Sequence, residues 1–381
     1  MIYLDNHATT PCDPRVLEAM TPYFLEKFAN PASEIHRMGR EARKAVDRAR
    51  DQVANLIGAE PNEILFTSSA TEANNIVILG LAKAYKSSPK NKLLCSAIEH
   101  KSILAPCQYL KSEGFEPIHL PVDGLGHVKM EIARKEINNQ TLIVSIQAAN
   151  NEIGTIQDVP SLSELSHESG SCFHCDAAQA AGKIPVDVNN WNVDYLSISA
   201  HKMYGPKGIA ALFIRGGVGN SSIKPLFYGG EQELSLRPGT LNVPLIVGFG
   251  EACDIAFKEM EVESKKLSDL RDLFESNLFS NIDAIRKNGD ASNRLPNNSS
   301  LTFQGIDAEA LIMSMPDIAL STGSACNSGA QEPSYVLKAI GLSHEEANST
   351  LRIGLGRFNT RDEIIDASKN IIKAVNNFKS K

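Results

Sequence analysis

No stretch of this chain is apolar for long enough to cross a bilayer. The longer runs, such as Ile76 to Ala82, fall far short of the ~20 residues a spanning helix needs. The start, Met1-Ile2-Tyr3-Leu4-Asp5-Asn6-His7, has neither a basic segment nor an apolar one, so no signal peptide is expected. Positive charge is in short supply. Against 45 Asp and Glu stand 38 Lys and Arg, a formal net charge of −7. That argues against direct nucleic-acid binding, which calls for a basic footprint. Internal repeats and low-complexity linkers are missing too. Cysteine is sparse, seven in 381 residues, and the expected compartment is the cytoplasm, where thiols stay reduced. Cys172 and Cys175 form a C-x-x-C, but strand side chains alternate, which sends the two to opposite faces. With no second pair, neither a metal site nor a redox pair is expected.

What is present reads as an ordinary globular protein: 42% apolar and 22% charged residues, with length enough for two domains. Short apolar runs alternate with helical patterns from about Glu63 to Arg215. Strands are expected at Glu63 to Phe66, Lys92 to Cys95, Thr141 to Ile146, Ser171 to Cys175, Asp194 to Ile198 and Ile209 to Ile214. Helices are expected at Asn74 to Tyr85 and Ser102 to Glu113. This order predicts an α/β fold with a mostly parallel sheet covered by helices. Upstream, Ile35, Met38, Ala42, Ala45, Val46, Ala49, Val53 and Leu56 recur at helical spacing and predict a helix packed on the core. After about Gly248 come a long charged helix to Leu278, a strand at Ser299 to Phe303 and a closing helix at Arg361 to Phe378, the makings of a smaller α/β domain.

Four places carry chemistry. Lys202 follows an apolar strand in Ser199-Ala200-His201-Lys202, where partial desolvation would free its amine for a Schiff base; a lone lysine is more often a solvated loop residue. Ser68-Ser69-Ala70-Thr71-Glu72 places hydroxyls and free N–H groups at a helix N-terminus, which suits a phosphate or a plain N-cap. Asp176 falls at the C-terminal end of a strand, where α/β sheets bind ligands. There it could face a pyridinium nitrogen or cap the next helix. Cys326, in Gly323-Ser324-Ala325-Cys326-Asn327-Ser328-Gly329, has little bulk around it, which suits an accessible, nucleophilic thiol on a mobile loop. Arg352, in a short apolar strand, needs an anion: a structural partner or a substrate carboxylate.

Taken with Leu4-Asp5-Asn6-His7-Ala8-Thr9-Thr10-Pro11, Glu99-His100-Lys101, Asn150-Asn151-Glu152-Ile153-Gly154, Asp176-Ala177-Ala178-Gln179, Arg237-Pro238-Gly239-Thr240 and Glu332-Pro333-Ser334-Tyr335, these motifs resemble the cysteine desulfurases over nearly the whole chain. Ser321-Thr322-Gly323-Ser324-Ala325-Cys326 is similar to group I, the NifS/IscS-like branch. The resemblance implies a fold-type-I, pyridoxal-phosphate (PLP) dependent homodimer. It implies a large cofactor domain over residues 15–255. A small domain from residues 1–14 and 256–381 would carry the Cys326 loop.

Site roles follow from the resemblance too. Lys202 would hold PLP covalently, Asp176 would pair with its ring nitrogen, and His100 would stack on the ring and shuttle protons. Gln179 would bond the phenolic oxygen. Ala70, Thr71, Ser199 and His201 would bind the phosphate, with Thr240 reaching over from the other subunit. Asn151 and Arg352 would hold the carboxylate of L-cysteine, with Asn150 as the alternative to Asn151. Cys326 would take the sulfur as a persulfide, release alanine, and pass sulfur to an acceptor protein. His7 is given no role. Housekeeping iron–sulfur members carry a longer tail than Asn376-Asn377-Phe378-Lys379-Ser380-Lys381. Iron–sulfur cluster assembly, tRNA thiolation and DNA phosphorothioation therefore all stand as pathways. The alternatives are selenocysteine lyase, aminotransferase and a non-catalytic PLP-binding scaffold.

Overall fold

The computed structural model describes residues 1–323 and 333–379; Cys326 lies outside them. Seven strands lie side by side in the order Ile64–Thr67, Ala210–Ile214, Tyr195–Ser199, Cys172–Asp176, Thr141–Ser145, Lys92–Ser96 and Glu116–Leu120. Ala210–Ile214 runs against both its neighbours, and the other six share one direction. Every residue of Thr141–Ser145, Tyr195–Ser199 and Ala210–Ile214 is buried. Strands covered on both faces have no polar side to show, which is why they read as unbroken apolar runs.

Within this sheet Glu116–Leu120 is the strand that sequence reading misses. It lies at the sheet edge and contains Pro117, which cannot donate to a ladder and is tolerated there for that reason.

One face of the sheet presents Phe66, Val144, Phe173, Cys175 and Phe213 to the helix Arg37–Ile57 and the first half of the helix Val243–Phe279. The other presents Leu65, Leu93, Ile143, Cys172 and Leu212 to the helices Ala70–Ala84 and Lys101–Leu110. Cys172 and Cys175 thus point to opposite sides. The Arg37–Ile57 helix corrects one expectation. Ile35 precedes its cap, His36, and is 98% exposed, while Met38 in its first turn is 40% exposed. The buried stripe begins further on, with Gly39 and Ala42.

A second core gathers Leu4, Leu267, Phe274, Leu278, Leu301, Ile353 and Ile371. It lies against an antiparallel sheet ordered Ser321–Thr322, Thr350–Gly354, Asn298–Phe303 and Ile285–Lys287. The 37-residue helix Val243–Phe279 runs through both cores, giving Ile246, Phe249 and Cys253 to the first and Leu267 to Leu278 to the second. The chain start ties the two together. Ile2–Tyr3 pairs with Ile318–Ala319, Asp5 bridges to Gly354, and the N–H of Thr10 donates to the carbonyl of His201. Among the described residues no helix is long and apolar enough to cross a membrane.

Candidate active site

Parallel strands deliver their C-terminal ends to one edge, and the chemistry collects there. Asp176 ends its strand with its side chain buried. Its Oδ1 accepts from the N–H of Ala178 at 3.0 Å and its Oδ2 from Asn74 Nδ2 at 2.8 Å. On the next strand Ser199 comes last, and a single turn, Ala200–Lys202, carries Lys202 beyond the sheet. The Lys202 amine donates to the carbonyls of Ala8 at 2.8 Å and of His7. The ring of His201 is held through Nδ1 by Thr9 Oγ1 at 3.2 Å, and burial pushes it down to about 4, Lys202 next in effect, so it is neutral.

The phosphate expectation meets three features. Ser69 caps the helix Ala70–Ala84, its hydroxyl accepting from the N–H of Glu72 while its carbonyl accepts from Ala73. Among the described residues the N–H groups of Ala70 and Thr71 have no acceptor, which leaves them for a ligand at the positive end of the helix. The Ser199 hydroxyl is buried with no partner among the described residues, a state that costs free energy until an acceptor arrives. Together with the Lys202 amine and the buried Asp176 carboxylate, these residues fit a phosphorylated pyridine aldehyde.

His100 caps the helix Lys101–Leu110. Its Nδ1 accepts from the N–H of Ser102 at 3.1 Å and meets Ser102 Oγ at 2.8 Å. Because a backbone N–H only donates, Nδ1 must accept, and the proton of the neutral ring sits on Nε2. Asn74 Nδ2 donates to both Ser102 Oγ and Asp176 Oδ2, each at 2.8 Å. One buried amide therefore fixes the two residues expected to touch the cofactor ring. Burial lowers the pKa of His100, and Asp176 opposes that shift. Asn74 stands in the motif Ala70-Thr71-Glu72-Ala73-Asn74-Asn75, but sequence reading gave it no role. Its signal is an amide on the apolar stripe of a helix, four residues before Ile78.

The doublet Asn150-Asn151 divides cleanly. Asn150 is fully buried: its Oδ1 accepts from the N–H groups of Glu152 and Ile153, and its Nδ2 donates to the carbonyl of Ile98. Asn151 is half-buried and its amide makes no such bond among the described residues. Arg352 gives Nε to Ser321 Oγ and Nη2 to Asp5 at 2.9 Å, leaving the far edge of the guanidinium, Nη1, without a partner among the described residues. Next to Asn151, the Glu152 carboxylate accepts from Ser334 Oγ and lies against Gly323. These two residues stand on either side of the stretch holding Cys326. Burial raises Glu152 to about 7.

Thr240 is exposed and lines a groove of about 1130 Å³ with Thr71, Glu72, Tyr228 and Arg237 of the same chain. Gln179 is buried with both amide atoms on His7: Nε2 donates to the His7 carbonyl at 3.0 Å and Oε1 faces Nδ1 at 3.1 Å.

Glu99, beside His100, is wholly buried. Its Oε1 accepts from Ser96 and from the N–H of Gln147, and its Oε2 has no partner among the described residues. Burial pushes its carboxyl from 4.5 up to about 8, and Asp176 adds to the rise. Across that window the folded protein holds a proton the unfolded chain has released, so this group lowers stability as pH rises. Glu99→Gln removes the effect. In urea unfolding of the apoprotein, the variant should gain on the parent by about 1 kcal/mol per pH unit from roughly pH 5 to 8. A difference that stays constant with pH would show Glu99 ionised in the fold.

Comparison with known proteins points one way. The aminotransferase class-V family profile matches residues 2–366. The chain is 48% identical to cysteine desulfurase IscS of Rickettsia typhi over 371 residues, covering 97% of this chain and 90% of that protein. Among solved structures it is similar to a NifS-like protein, with a TM-score of 0.92, 37% identity and coverage of 98% and 99% of the two chains. It is also similar to SspA in complex with cysteine, with a TM-score of 0.84, 38% identity and coverage of 94% and 100%. On this evidence the chain belongs to the aminotransferase class-V family, and within it to the PLP-dependent cysteine desulfurases.

Proposed function

We propose that the desulfurase reaction is divided among these residues at the sheet edge, and that the sulfur leaves on Cys326 for an acceptor protein. The observation that carries this reading is convergence. The unpartnered Ser199 hydroxyl, the Ala70 and Thr71 N–H groups, the Asp176 carboxylate and the Lys202 amine all come from neighbouring strand and helix ends. Bound PLP supplies an electron sink for the substrate Cα. Asp176 would hold the ring nitrogen charged, Gln179 would donate to the phenolic oxygen, and Ala70, Thr71, Ser199 and His201 would hold the phosphate. Lys202 would anchor the cofactor covalently and, with its amine freed by that of L-cysteine, would take the Cα proton on Nζ. His100 would lie against the ring and move protons through Nε2. Arg352 and Asn151 orient the carboxylate. The Cys326 thiolate attacks the substrate sulfur: an S–S bond forms, the Cβ–S bond breaks, and alanine leaves. The acceptor is a scaffold, thiolation or phosphorothioation protein.

Inside the helix Val243–Phe279 the two cores support a division just after residue 255, while Leu295, Val336, Leu337, Ile340 and Ala347 from the later part of the chain pack in the first core. The homodimer reading is supported by exposed apolar residues in two stretches, Phe24, Leu25 and Phe28 in one and Phe227 and Tyr228 in the other. In that dimer Thr240 reaches the partner's phosphate.

Asn151→Ala should keep the yellow cofactor and raise KM for cysteine about tenfold, the loss of one hydrogen bond to a charged group. Asn150→Ala strands two buried N–H donors and should cost about 2–3 kcal/mol in stability. Steady-state kinetics with denaturant melts separates the two. Parental KM in Asn151→Ala would remove Asn151 from the carboxylate site.

A further inference from the structure

We propose that His7 is a positioning residue for this reaction: a neutral imidazole, locked between Asn298 and Gln179, that fixes which way the Gln179 amide faces. The inference rests on the assignment of Gln179 to the cofactor's phenolic oxygen.

The ring is 1% exposed and sits on Gly354, where an added Cβ would come within 2.7 Å of His7 Cδ2. Two independent hydrogen-bond arguments start from opposite ends and meet on it. From the small-domain side, Asn298 Nδ2 reaches the carbonyl of Glu152 at 3.2 Å and His7 Nε2 at 3.1 Å. A carbonyl only accepts, so the Asn298 atom there is the amide nitrogen; it donates to Nε2, and Nε2 carries a lone pair. From the sheet side, Gln179 Nε2 reaches the carbonyl of His7 itself at 3.0 Å. That again must be the nitrogen, so Oε1 faces Nδ1 at 3.1 Å and Nδ1 must donate. Both routes give the neutral Nδ1–H tautomer.

The surroundings agree. Burial lowers the pKa of His7 well below its ordinary value, and Lys183, Arg352 and Lys202 push the same way. A second ring proton would face the Asn298 amide hydrogens. The carbonyl of His7 also accepts from the Lys202 amine, so one residue touches the anchor lysine and the glutamine together.

The consequence is one of polarity. With Oε1 and one N–H of Gln179 committed to His7, its second N–H is left to donate. A flipped amide would turn a carbonyl oxygen toward a phenolic oxyanion. Losing that donor makes the oxyanion hold a proton more tightly, so the pH midpoint of the bound cofactor's colour change should rise by about one unit.

The test has two parts. In apoprotein with ¹⁵N-labelled histidine, His7 should show protonated Nδ1 and bare Nε2 near neutral pH; a protonated Nε2 overturns the proposal whatever the variants do. In holoenzyme, His7→Phe should raise the colour-change midpoint and weaken PLP binding severalfold. His7→Gln, which supplies a donor for Gln179 and an acceptor for Asn298, should return both toward the parent. A parental midpoint in His7→Phe overturns the proposal if Gln179→Leu shifts it. A parental midpoint in Gln179→Leu overturns the Gln179 assignment, and the proposal falls with it.

Discussion

Lys202→Ala protein should leave its column colourless, or lose added PLP on desalting, and release alanine from cysteine at a rate lower by on the order of 10⁴. The factor is what a positioned base typically contributes, and the covalent anchor goes with it. The motive is position: one turn past a buried strand, Lys202 is carried to the edge where Ser199 and Asp176 wait. The measurement is borohydride reduction of the parent holoenzyme followed by peptide mapping, with the pyridoxyl group expected on Lys202. Lys183 is the rival that makes the test sharp. It is 3% exposed, burial lowers it to about 7 with Lys202 acting the same way, and its Nζ donates to the backbone carbonyl of Lys202 at 3.1 Å. A lysine half deprotonated at neutral pH is a credible Schiff-base former. A pyridoxyl group mapped to Lys183 would falsify the assignment.

Cys326→Ser should do the opposite to colour and the same to product. The cofactor stays, because no step that binds it or the substrate's amine uses this thiol. Single-turnover alanine release should fall by on the order of 10³ or more, and no persulfide should form. The described cysteines sharpen the case. Burial holds the Cys175 and Cys253 thiols well above their ordinary range and Cys172 at about 11. In Cys95 the pairing with Cys107, and then burial, does the same. Such thiols are poor nucleophiles. Serine at Cys95, Cys107 or Cys253 should leave the rate within about twofold of the parent, whatever it does to stability. If Cys326→Ser makes alanine at the parent rate, the nucleophile lies elsewhere.

The strands that were legible are those buried on both faces, and the site residues that were legible follow them directly in the chain. Asp176 and Lys202 needed only a strand and its end, and Ser69-Ala70-Thr71 only a strand-to-helix turn. What stayed hidden depends on meetings across the sequence. His7 offers no local pattern, and its meaning comes from Gln179, 172 residues on, and Asn298, 291 residues on. Glu99 reads as an ordinary surface acid until Ser96 and Gln147 are seen to enclose it. Glu116–Leu120 carries a proline and polar residues that only an edge position excuses. Ile35 failed for a simpler reason: apolar spacing does not say where the first turn begins, and His36 does.

The way the first thirteen residues tie together distant parts of the chain bears on how the protein is made. Asp5 waits for Arg352, 347 residues downstream, and His7 waits for Asn298. The ribosome emits this segment well before those partners, so its contacts with them wait until residues 298 and 352 have been synthesised and packed. Contacts so distant along the chain form late. The Lys202 amine meets the carbonyls of His7 and Ala8 in that same segment. A nascent chain that stops short of residue 352 therefore lacks the Arg352 and Asn298 contacts that hold Asp5 and His7.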